Sequence, residues 1–565
     1  QEGACMAART AGIDTIDPDH NVPPAGFDPQ EAGRTIMGHP PGLFLLFFVE
    51  MWERFSYYGM RALLVLYLIK SLHPAPDRGL FQDEIINPGR GWTEGDANFL
   101  YGWYTGLAYA LPIVGGFIAD KLLGTHRSMV LGSIVIALGH VVLAVSGFGQ
   151  WAHDETGMAI FIAGLALIIL GTGYFKPTVS VMVGQLYPPG DPRRDGAFSI
   201  FYMGINLGAF LCAFVCGTLG QQVGWHWGFG SAAVGMIAGL IMYLVGKPYF
   251  LKGIGEPPAG KPNVTMPLMV GSIVLSTVIG YIYFAGGFTW VGDQIRAIQQ
   301  NPILAWTIVI GGLIAVVAAS IWFIAIQKPG DKGPTASILL FMLFNAFFWI
   351  AFEQAGSTLN VFAERNTDRT IGSWEMPATW FQSFNAGFII LFAPVFAWLW
   401  LWLGKRRMNP SQPMKIALGL ILLGLGYVVM VYGARESART DALGNAILVT
   451  PMILTLTYLL HTLGELCLSP TGLSYVTKAA PVRFVSFLMG LWFISSFIAN
   501  LGGGLIASQV EAIERGELTL PWTKWVSFGG RADYFMLFVI SSIGMGLLVM
   551  IFTPLLKKMM RNPND

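Results

Sequence analysis

The chain contains repeated runs of about 20 apolar residues, and this repetition limits what it can fold into more than any other feature. A helix of about 20 residues crosses the roughly 30 Å hydrocarbon core of a bilayer. Only 12% of the 565 residues are charged, about half the share found in soluble proteins. This composition excludes a disordered chain, a nucleic-acid-binding surface and an ordinary soluble enzyme, and it predicts a polytopic membrane protein.

The runs predict an all-α membrane protein with 14 transmembrane helices. Because this number is even, both termini are expected on the same side of the membrane. The predicted spans are residues 43–70, 97–119, 128–147, 158–186, 197–219, 228–246, 265–290, 303–326, 335–359, 378–403, 414–433, 447–477, 485–512 and 534–556.

The distribution of Lys and Arg predicts that both termini are cytoplasmic, because cytoplasmic loops carry an excess of these residues. With the N-terminus inside, every inner loop holds at least two of them, whereas the opposite loops at 148–157 and 220–227 hold none. The inner-loop cations are Lys121, Arg127, Arg193, Arg194, Lys247, Lys252, Lys261, Lys328, Lys332, Lys405, Arg406, Arg407, Lys415, Lys478 and Arg483.

The spacing of the spans predicts two six-helix bundles plus two inserted helices. Basic segments rich in Gly and Pro flank the inserted pair. Without that pair, six helices precede and six follow, which is the arrangement of a major-facilitator transporter. The predicted units are a flexible cytoplasmic tail (1–40), an N-terminal bundle (41–246), linkers with an inserted hairpin (247–334), a C-terminal bundle (335–556) and a cytoplasmic C-terminal tail (557–565).

Cysteine and histidine spacing predicts no metal site, and we expect no bound cofactor. None of the 4 cysteines forms a CxxC pair, and none of the 8 histidines stands at metal-ligand spacing from another ligand. No glycine-rich phosphate loop precedes a helix, so we expect no ATP-driven step.

The first span carries polar side chains on one helical stripe, although a charge in mid-membrane costs at least about 2.5–3.5 kcal/mol. Such groups need partners or a wet cavity, so the stripe is expected to face the interior. A purely structural ladder of ion pairs is the alternative, since Glu50 and Arg54 have the i, i+4 spacing. The stripe consists of Glu50, Glu53, Arg54, Tyr57, Tyr58 and Arg61.

Three more charged residues, Lys176, Glu353 and Glu465, lie deep in other apolar runs. For each one alone, a structural ion pair is as good an explanation as a functional site. Together with the first span they bring four carboxylates and three cations to both halves of the chain. A bound proton or a cationic ligand group would balance this charge, and separated positive and negative ends would suit a zwitterion.

Neutral polar residues complete the candidate site. Asn206 and Asn385 can each donate and accept hydrogen bonds, with helix packing as the alternative role. Amphipathic candidates for a pocket lining, for which packing is again the alternative, are Tyr104, Tyr109, Trp349, Trp492 and Ser496.

Five motifs occur in an order that resembles the proton-coupled oligopeptide transporters. The resemblance extends over residues 43–556, and the inserted pair is similar to the two extra helices of bacterial members. The motifs are ExxER at Glu50–Arg54, GGxxAD at Gly115–Asp120, FKP at Phe175–Pro177, FYxxINxG at Phe201–Gly208 and FEQxGS at Phe352–Ser357.

The resemblance implies proton-driven symport of di- and tripeptides by alternating access, in a bacterial inner membrane. Peptides, protons and the lipid bilayer are the implied partners, without nucleic acid or an obligatory protein partner. The implied proton-coupling residues are Glu50, Glu53, Arg54 and Glu353. The implied substrate-binding residues are Arg54, Tyr57, Tyr58, Arg61, Tyr109, Lys176, Asn206, Asn385, Glu465, Trp492 and Ser496, and the implied gating ion pairs are Arg61–Glu353 and Lys176–Glu465.

The chain departs from the mammalian members at one position and leaves two alternatives open. Those members have a helix 2 histidine that is important for protons, where this chain has Gly102, so the implied proton role passes to the carboxylates. The nearest alternative is the same fold carrying nitrate or another small metabolite. A membrane-embedded enzyme is a remote alternative, since His140 and His461 each stand alone in an apolar run.

Overall fold

The computed structural model is a bundle of long helices and covers most of the chain. The predicted tails, 1–40 and 557–565, lie largely outside the described residues. The described residues are 35–72, 87–188, 190–258, 260–441, 444 and 446–560.

Each predicted span corresponds to a helix, although several predicted ends differ from the observed ones, and two of them differ for clear local reasons. The run predicted to end at 290 stops at Phe284, because Gly286 has a φ of +79°, a left-handed conformation that commonly ends helices. The run predicted to begin at 447 begins at Met452, directly after Pro451, whose restricted φ suits a helix start.

The helices are numbered here in chain order. The helices that correspond to the 14 predicted spans are α1 (Pro41–Ile69), α2 (Glu94–Ile118), α3 (Gly124–Val145), α4 (Glu155–Gln185), α5 (Arg194–Cys212), α6 (Trp225–Phe250), α7 (Thr265–Phe284), α9 (Pro302–Ala325), α10 (Pro329–Phe352), α12 (Gln382–Lys405), α13 (Gln412–Ser437), α14 (Met452–Ala479), α15 (Val485–Ala507) and α17 (Arg531–Met559). The connections contain α8 (Gly287–Gln300), α11 (Thr358–Asn366), α16 (Val510–Glu514) and the antiparallel strands β1 (Thr370–Ile371) and β2 (Trp374–Glu375).

Helix α1 runs through the interior of the molecule. By length and composition, 10 helical segments among the described residues are able to cross a membrane, with α2 and α3 forming one continuous segment. Helix α1 is too polar to be one of them, since it carries Glu50, Glu53, Arg54 and Arg61. Most of its residues are buried, including these four, so protein rather than lipid surrounds the charges.

The helices pack as two six-helix bundles with an inserted pair. In the N-terminal half α1 packs against α5 and α6, and α3 packs against α4. In the C-terminal half α13 packs against α14 and α17, and α10 packs against α15. The halves meet along two helix pairs, α2 with α15 and α5 with α12. The residue bounds of these units stay a prediction.

The first helix of the inserted pair, α7, lies beside the N-terminal half. The hydroxyl oxygens of Tyr174 on α4 and Ser272 on α7 are 3.2 Å apart. A Cβ atom on Gly280 of α7 would lie 2.7 Å from the Ala159 carbonyl oxygen, so only glycine permits this close approach. The described side chains of α9 are by contrast mostly exposed.

The two ends of the bundle differ in how the halves contact each other. We call the end that carries residues 35–40 and Met559 the termini face, and the opposite end the far face. Among side chains that the structure describes, polar contacts between the halves lie between mid-bundle and the far face, so the far face is closed. They are Arg61–Glu353, Ala62–Asn360, Glu94–Arg365, Glu94–Glu511, Glu94–Arg531, Asn98–Ala507, Phe210–Ser383, Thr218–Trp380, Gln221–Glu364, Gln221–Thr379 and Gln222–Glu375.

Candidate functional site

A cavity of about 260 Å³ lies between the two halves, where helices from both contribute its wall. This volume is close to the lower end of the range for small-molecule pockets, about 300 Å³. Eight of the residues predicted from the sequence line it. These are Tyr58, Arg61, Tyr109, Asn206, Trp349, Glu353, Asn385 and Glu465.

The charges of the first motif form a buried cluster beside the cavity. The Arg54 Nε atom lies 3.0 Å from Glu50 Oε1 and 2.5 Å from Glu53 Oε2, and all three side chains are buried. None of the three lines the cavity. One guanidinium is thus paired with two carboxylates. These three side chains therefore carry a net negative charge when both carboxylates are ionised.

Lys176 lies near this cluster and not against Glu465. Its Nζ atom is 3.4 Å from the centre of the Tyr109 ring, a cation–π contact, and its electrostatic neighbours include Glu50 and Glu53. The predicted Lys176–Glu465 ion pair is therefore absent from the contacts of the described side chains. Tyr109 itself lines the cavity, so one aromatic ring separates the ammonium from it.

Arg61 connects the two halves at the cavity. Its guanidinium is paired with the Glu353 carboxylate and also donates a hydrogen bond to the Tyr101 hydroxyl. It lies 5.7 Å from the centre of the Tyr58 ring. Glu353 stands where α10 ends and a single 3₁₀ turn, Glu353–Gly356, begins. The geometry of the expected Arg61–Glu353 pair is thus present, whereas its gating role stays a prediction.

Asn385 and Glu465 form the C-terminal side of the cavity wall. The Asn385 amide nitrogen donates hydrogen bonds to Glu465 Oε2 at 2.9 Å and to the Thr462 hydroxyl at 3.0 Å. On the opposite side, the Asn206 amide donates to the Tyr202 carbonyl of its own helix at 3.0 Å. The two asparagines therefore face the cavity from different halves, and only Asn385 orients a carboxylate.

Besides Arg54 and Lys176, three predicted substrate-binding residues lie outside the cavity wall. Tyr57 stacks on Tyr104 with ring centres 6.3 Å apart. The Ser496 hydroxyl donates to the Trp492 carbonyl of the same helix, at 3.4 Å. In this conformation Tyr57 packs against another aromatic ring. For Trp492 and Ser496, packing is the alternative role that the sequence left open.

The cavity also contains polar residues that the sequence analysis missed. Tyr202, Gln382 and Tyr458 belong to its lining. Tyr202 precedes Asn206 by four positions, Gln382 precedes Asn385 by three, and Tyr458 precedes Glu465 by seven. Such spacings place side chains on one helical face. Extending the pattern around Asn206, Asn385 and Glu465 by one or two turns would have found all three.

The buried histidines do not form a metal site. His140 accepts or donates a 2.6 Å hydrogen bond with the Ser56 hydroxyl, and His461 packs against the Tyr427 ring. Among the described residues, no group of three or more His, Cys, Asp or Glu side chains is able to hold a metal ion.

Comparison with known proteins identifies the family. The model of the POT family (PTR2) matches residues 126–526. The chain is 39% identical to "Peptide transporter YePEPT" of Yersinia enterocolitica over 85% of this chain and 90% of that protein. It is 35% identical to the "Di-/tripeptide transporter" of Lactococcus lactis subsp. cremoris over 82% of this chain and 88% of that one. A crystal structure of peptide transporter POT in complex with sulfate has 33% sequence identity and a TM-score of 0.71, covering 95% of this chain and 100% of its own. The chain therefore belongs to the POT family, the transporters that its motifs resemble and whose all-helical fold it shares.

Proposed function

We propose that this protein carries di- and tripeptides into the cell together with protons. The observation that carries the proposal is the environment of Glu465. Its carboxylate lines the cavity and is held by the neutral amide of Asn385, with no cation within ion-pair distance among the described residues. A buried carboxylate in this position favours binding of a cationic group from a ligand.

The opposite charge is available on the other side of the cavity. The Lys176 ammonium contacts the Tyr109 ring and makes no ion pair with the described side chains. A peptide with a free amino end and a free carboxylate would place its ammonium at Glu465 and its carboxylate toward Lys176. Asn206 and Tyr202 on the N-terminal half and Gln382 on the C-terminal half would then contact the groups between the two ends.

The ion pairs next to this site support proton coupling. A proton on Glu353 removes the charge that holds Arg61, and the freed guanidinium is then available to a peptide carboxylate. Glu50 and Glu53 share Arg54 and supply further positions for a proton. Moving one charge through 100 mV releases about 2.3 kcal/mol, enough to accumulate a substrate about 50-fold.

Transport by alternating access would relate each face of the bundle to one side of the membrane. The closed far face would correspond to the cell exterior and the termini face to the cytoplasm, in agreement with the Lys and Arg distribution. The bacterial relatives support placement in the plasma membrane. Opening the far face requires the Arg61–Glu353 pair and the contacts of Glu94 with Arg365 and Arg531 to separate.

The test uses purified protein in liposomes and labelled dialanine, with and without an inward proton gradient. We expect gradient-driven uptake that excess trialanine blocks and that free alanine and nitrate leave intact. Glu465→Gln is expected to lose this uptake, whereas Glu436→Gln, a carboxylate paired with Arg439 outside the cavity, keeps it. Block by nitrate alone, or no peptide uptake by folded protein, would contradict the peptide assignment while leaving the family unchanged.

Of the two alternative functions that the sequence left open, one is excluded and the other is kept for the experiment. The chain belongs to a family of transporters and not of enzymes, so a membrane-embedded enzyme is excluded. A nitrate or small-metabolite transporter of the same fold has no observation in its favour, because a nitrate ion would leave Glu465 without a cation. It is retained as an outcome of the competition experiment.

A further inference from the structure

Four cations at the junction of α12 and α13 do not belong to the transport site. They are Lys405, Arg406, Arg407 and Lys415, at the termini face. We propose that this junction binds the headgroup of an anionic phospholipid. The proposal rests on the surface of the molecule and is independent of which solute is carried.

These cations have no acidic neighbour nearby in sequence and no acidic ion-pair partner among the described residues. Residues 376–435 contain no Asp or Glu. Within the described part of the chain none of the four cations forms an ion pair, although Lys415 is only 9% exposed. A cation buried without an anion is unfavourable, so this junction favours an anion supplied from outside the chain.

Tryptophan rings hold two of the cations at the end of the helix. Trp398 and Trp402 are one helical turn apart and stack with ring centres 6.1 Å apart. The Arg406 guanidinium lies 4.0 Å from the centre of the Trp402 ring, and the Lys415 ammonium lies 4.4 Å from that of Trp400. Trp is enriched at the membrane–water interface, where lipid headgroups lie. The aromatic ladder therefore places these cations at headgroup level.

An apolar surface continues from this junction toward the middle of α12. Val395, Trp398 and Leu401 are 48–68% exposed. Gly404 lies between this surface and the cationic turn, and a Cβ atom there would meet nothing within 4 Å, so the space above it is open. A free phosphate ion would use the cations alone, whereas a phospholipid would use the cations and this surface together. The combination favours a lipid.

The test is lipid binding to the purified full-length protein, measured by native mass spectrometry during titration with phosphatidylglycerol or phosphatidylcholine. We expect the unmodified protein to prefer phosphatidylglycerol. Arg406→Gln/Arg407→Gln is expected to reduce this preference about 25-fold, since each cation near an anionic surface contributes about fivefold. The control Lys328→Gln/Lys332→Gln removes two exposed cations from the same face, without a tryptophan ladder, and is expected to keep the preference.

Several outcomes of this titration would overturn the proposed lipid site. An unchanged preference in the Arg406→Gln/Arg407→Gln protein, or an equal loss in the control, overturns a specific site. Inorganic phosphate is added in excess over phosphatidylglycerol, and displacement of the lipid by phosphate alone overturns the assignment to a lipid. Thermal unfolding checks that the variants are folded. If the double variant does not fold, Arg406→Gln alone is measured, with an expected fivefold reduction.

Discussion

The Lys176 ammonium lies 3.4 Å from the centre of the Tyr109 ring and forms no ion pair with Glu465. A cation–π contact of a desolvated ammonium is worth about 2 kcal/mol, less than an ion pair with a buried carboxylate. A ligand carboxylate is therefore able to replace the ring as the partner of Lys176. Because Tyr109 lines the cavity, this exchange would take place at the cavity wall.

Lys176→Gln should remove discrimination between a peptide acid and a peptide amide. The unmodified protein is expected to bind dialanine at least about tenfold more tightly than its C-terminal amide, because an ammonium–carboxylate contact contributes about 1.5–3 kcal/mol. The variant should bind both equally. Competition against labelled dialanine measures this, with Lys332→Gln as an exposed control. A preserved preference for the acid would show that Lys176 does not contact the peptide carboxylate.

Glu353→Gln should uncouple peptide movement from the proton gradient. The glutamine cannot exchange a proton, so the Arg61 contact no longer responds to protonation. Gradient-driven uptake of dialanine into liposomes is expected to disappear, while counterflow exchange without a gradient continues to some degree. The Glu436→Gln protein should keep both activities. Full uphill uptake by Glu353→Gln would refute this coupling role.

Asn385→Leu should weaken substrate binding because the amide orients the Glu465 carboxylate. Loss of a hydrogen bond to a charged group costs about 1.5–3 kcal/mol, so dialanine affinity is expected to fall at least about tenfold. Thr462→Val removes the other acceptor of the same amide but leaves the Glu465 contact. Its affinity should fall less than threefold, and substrate-induced stabilisation against heat measures both variants. Equal effects of the two variants would contradict the orienting role.

Gly504→Val should prevent complete closure of the far face. A Cβ atom on Gly504 of α15 would lie 2.4 Å from the Gly102 Cα atom on α2, so the two backbones are in direct contact. Overpacking of this kind costs about 1–3 kcal/mol. Spin labels at the exposed far-face positions Phe148 and Leu518 should report a longer distance in this variant. Gly490→Val on the same helix meets no atom within 4 Å and should leave the distance unchanged.

The same contact leaves no space for a large side chain at position 102, where the resemblance to the mammalian members implies a histidine. A Cβ atom on Gly102 would lie 2.8 Å from the Gly504 Cα atom. A histidine there would separate α2 from α15, whose packing closes the far face. The sequence showed the absence of a histidine, whereas the structure supplies the steric reason.

Much of the fold could be predicted because each span is encoded locally. An apolar run long enough to cross the membrane is required to be helical, since no water is present to bind its backbone groups. The helix ends were less certain, as at Gly286 and Pro451, because a single residue's backbone preference decides them. The candidate site was predicted in part, since residues such as Glu465 could be recognised from their charge alone.

The rest of the site depends on how each helix is rotated against its neighbours. Trp492 lies on α15, yet it does not line the cavity, whereas Gln382 on α12 does. Neither fact follows from residue type, because both residues are amphipathic or polar and lie in apolar runs. Side-chain packing between helices distant in sequence sets these rotations.

The sequence alone determined that the chain spans a membrane many times and that its mid-membrane charges avoid lipid. Both follow from the cost of placing polar groups in hydrocarbon, which applies to each segment separately. The tertiary structure alone decided which partner each charge has: Arg61 is paired with Glu353, whereas Lys176 contacts an aromatic ring and Glu465 an amide, so these two charges are not neutralised by an ion pair among the described side chains. The physical reason is distance, because an ion pair forms only within a few ångströms, and the packing of two separate helix bundles decides which side chains come that close.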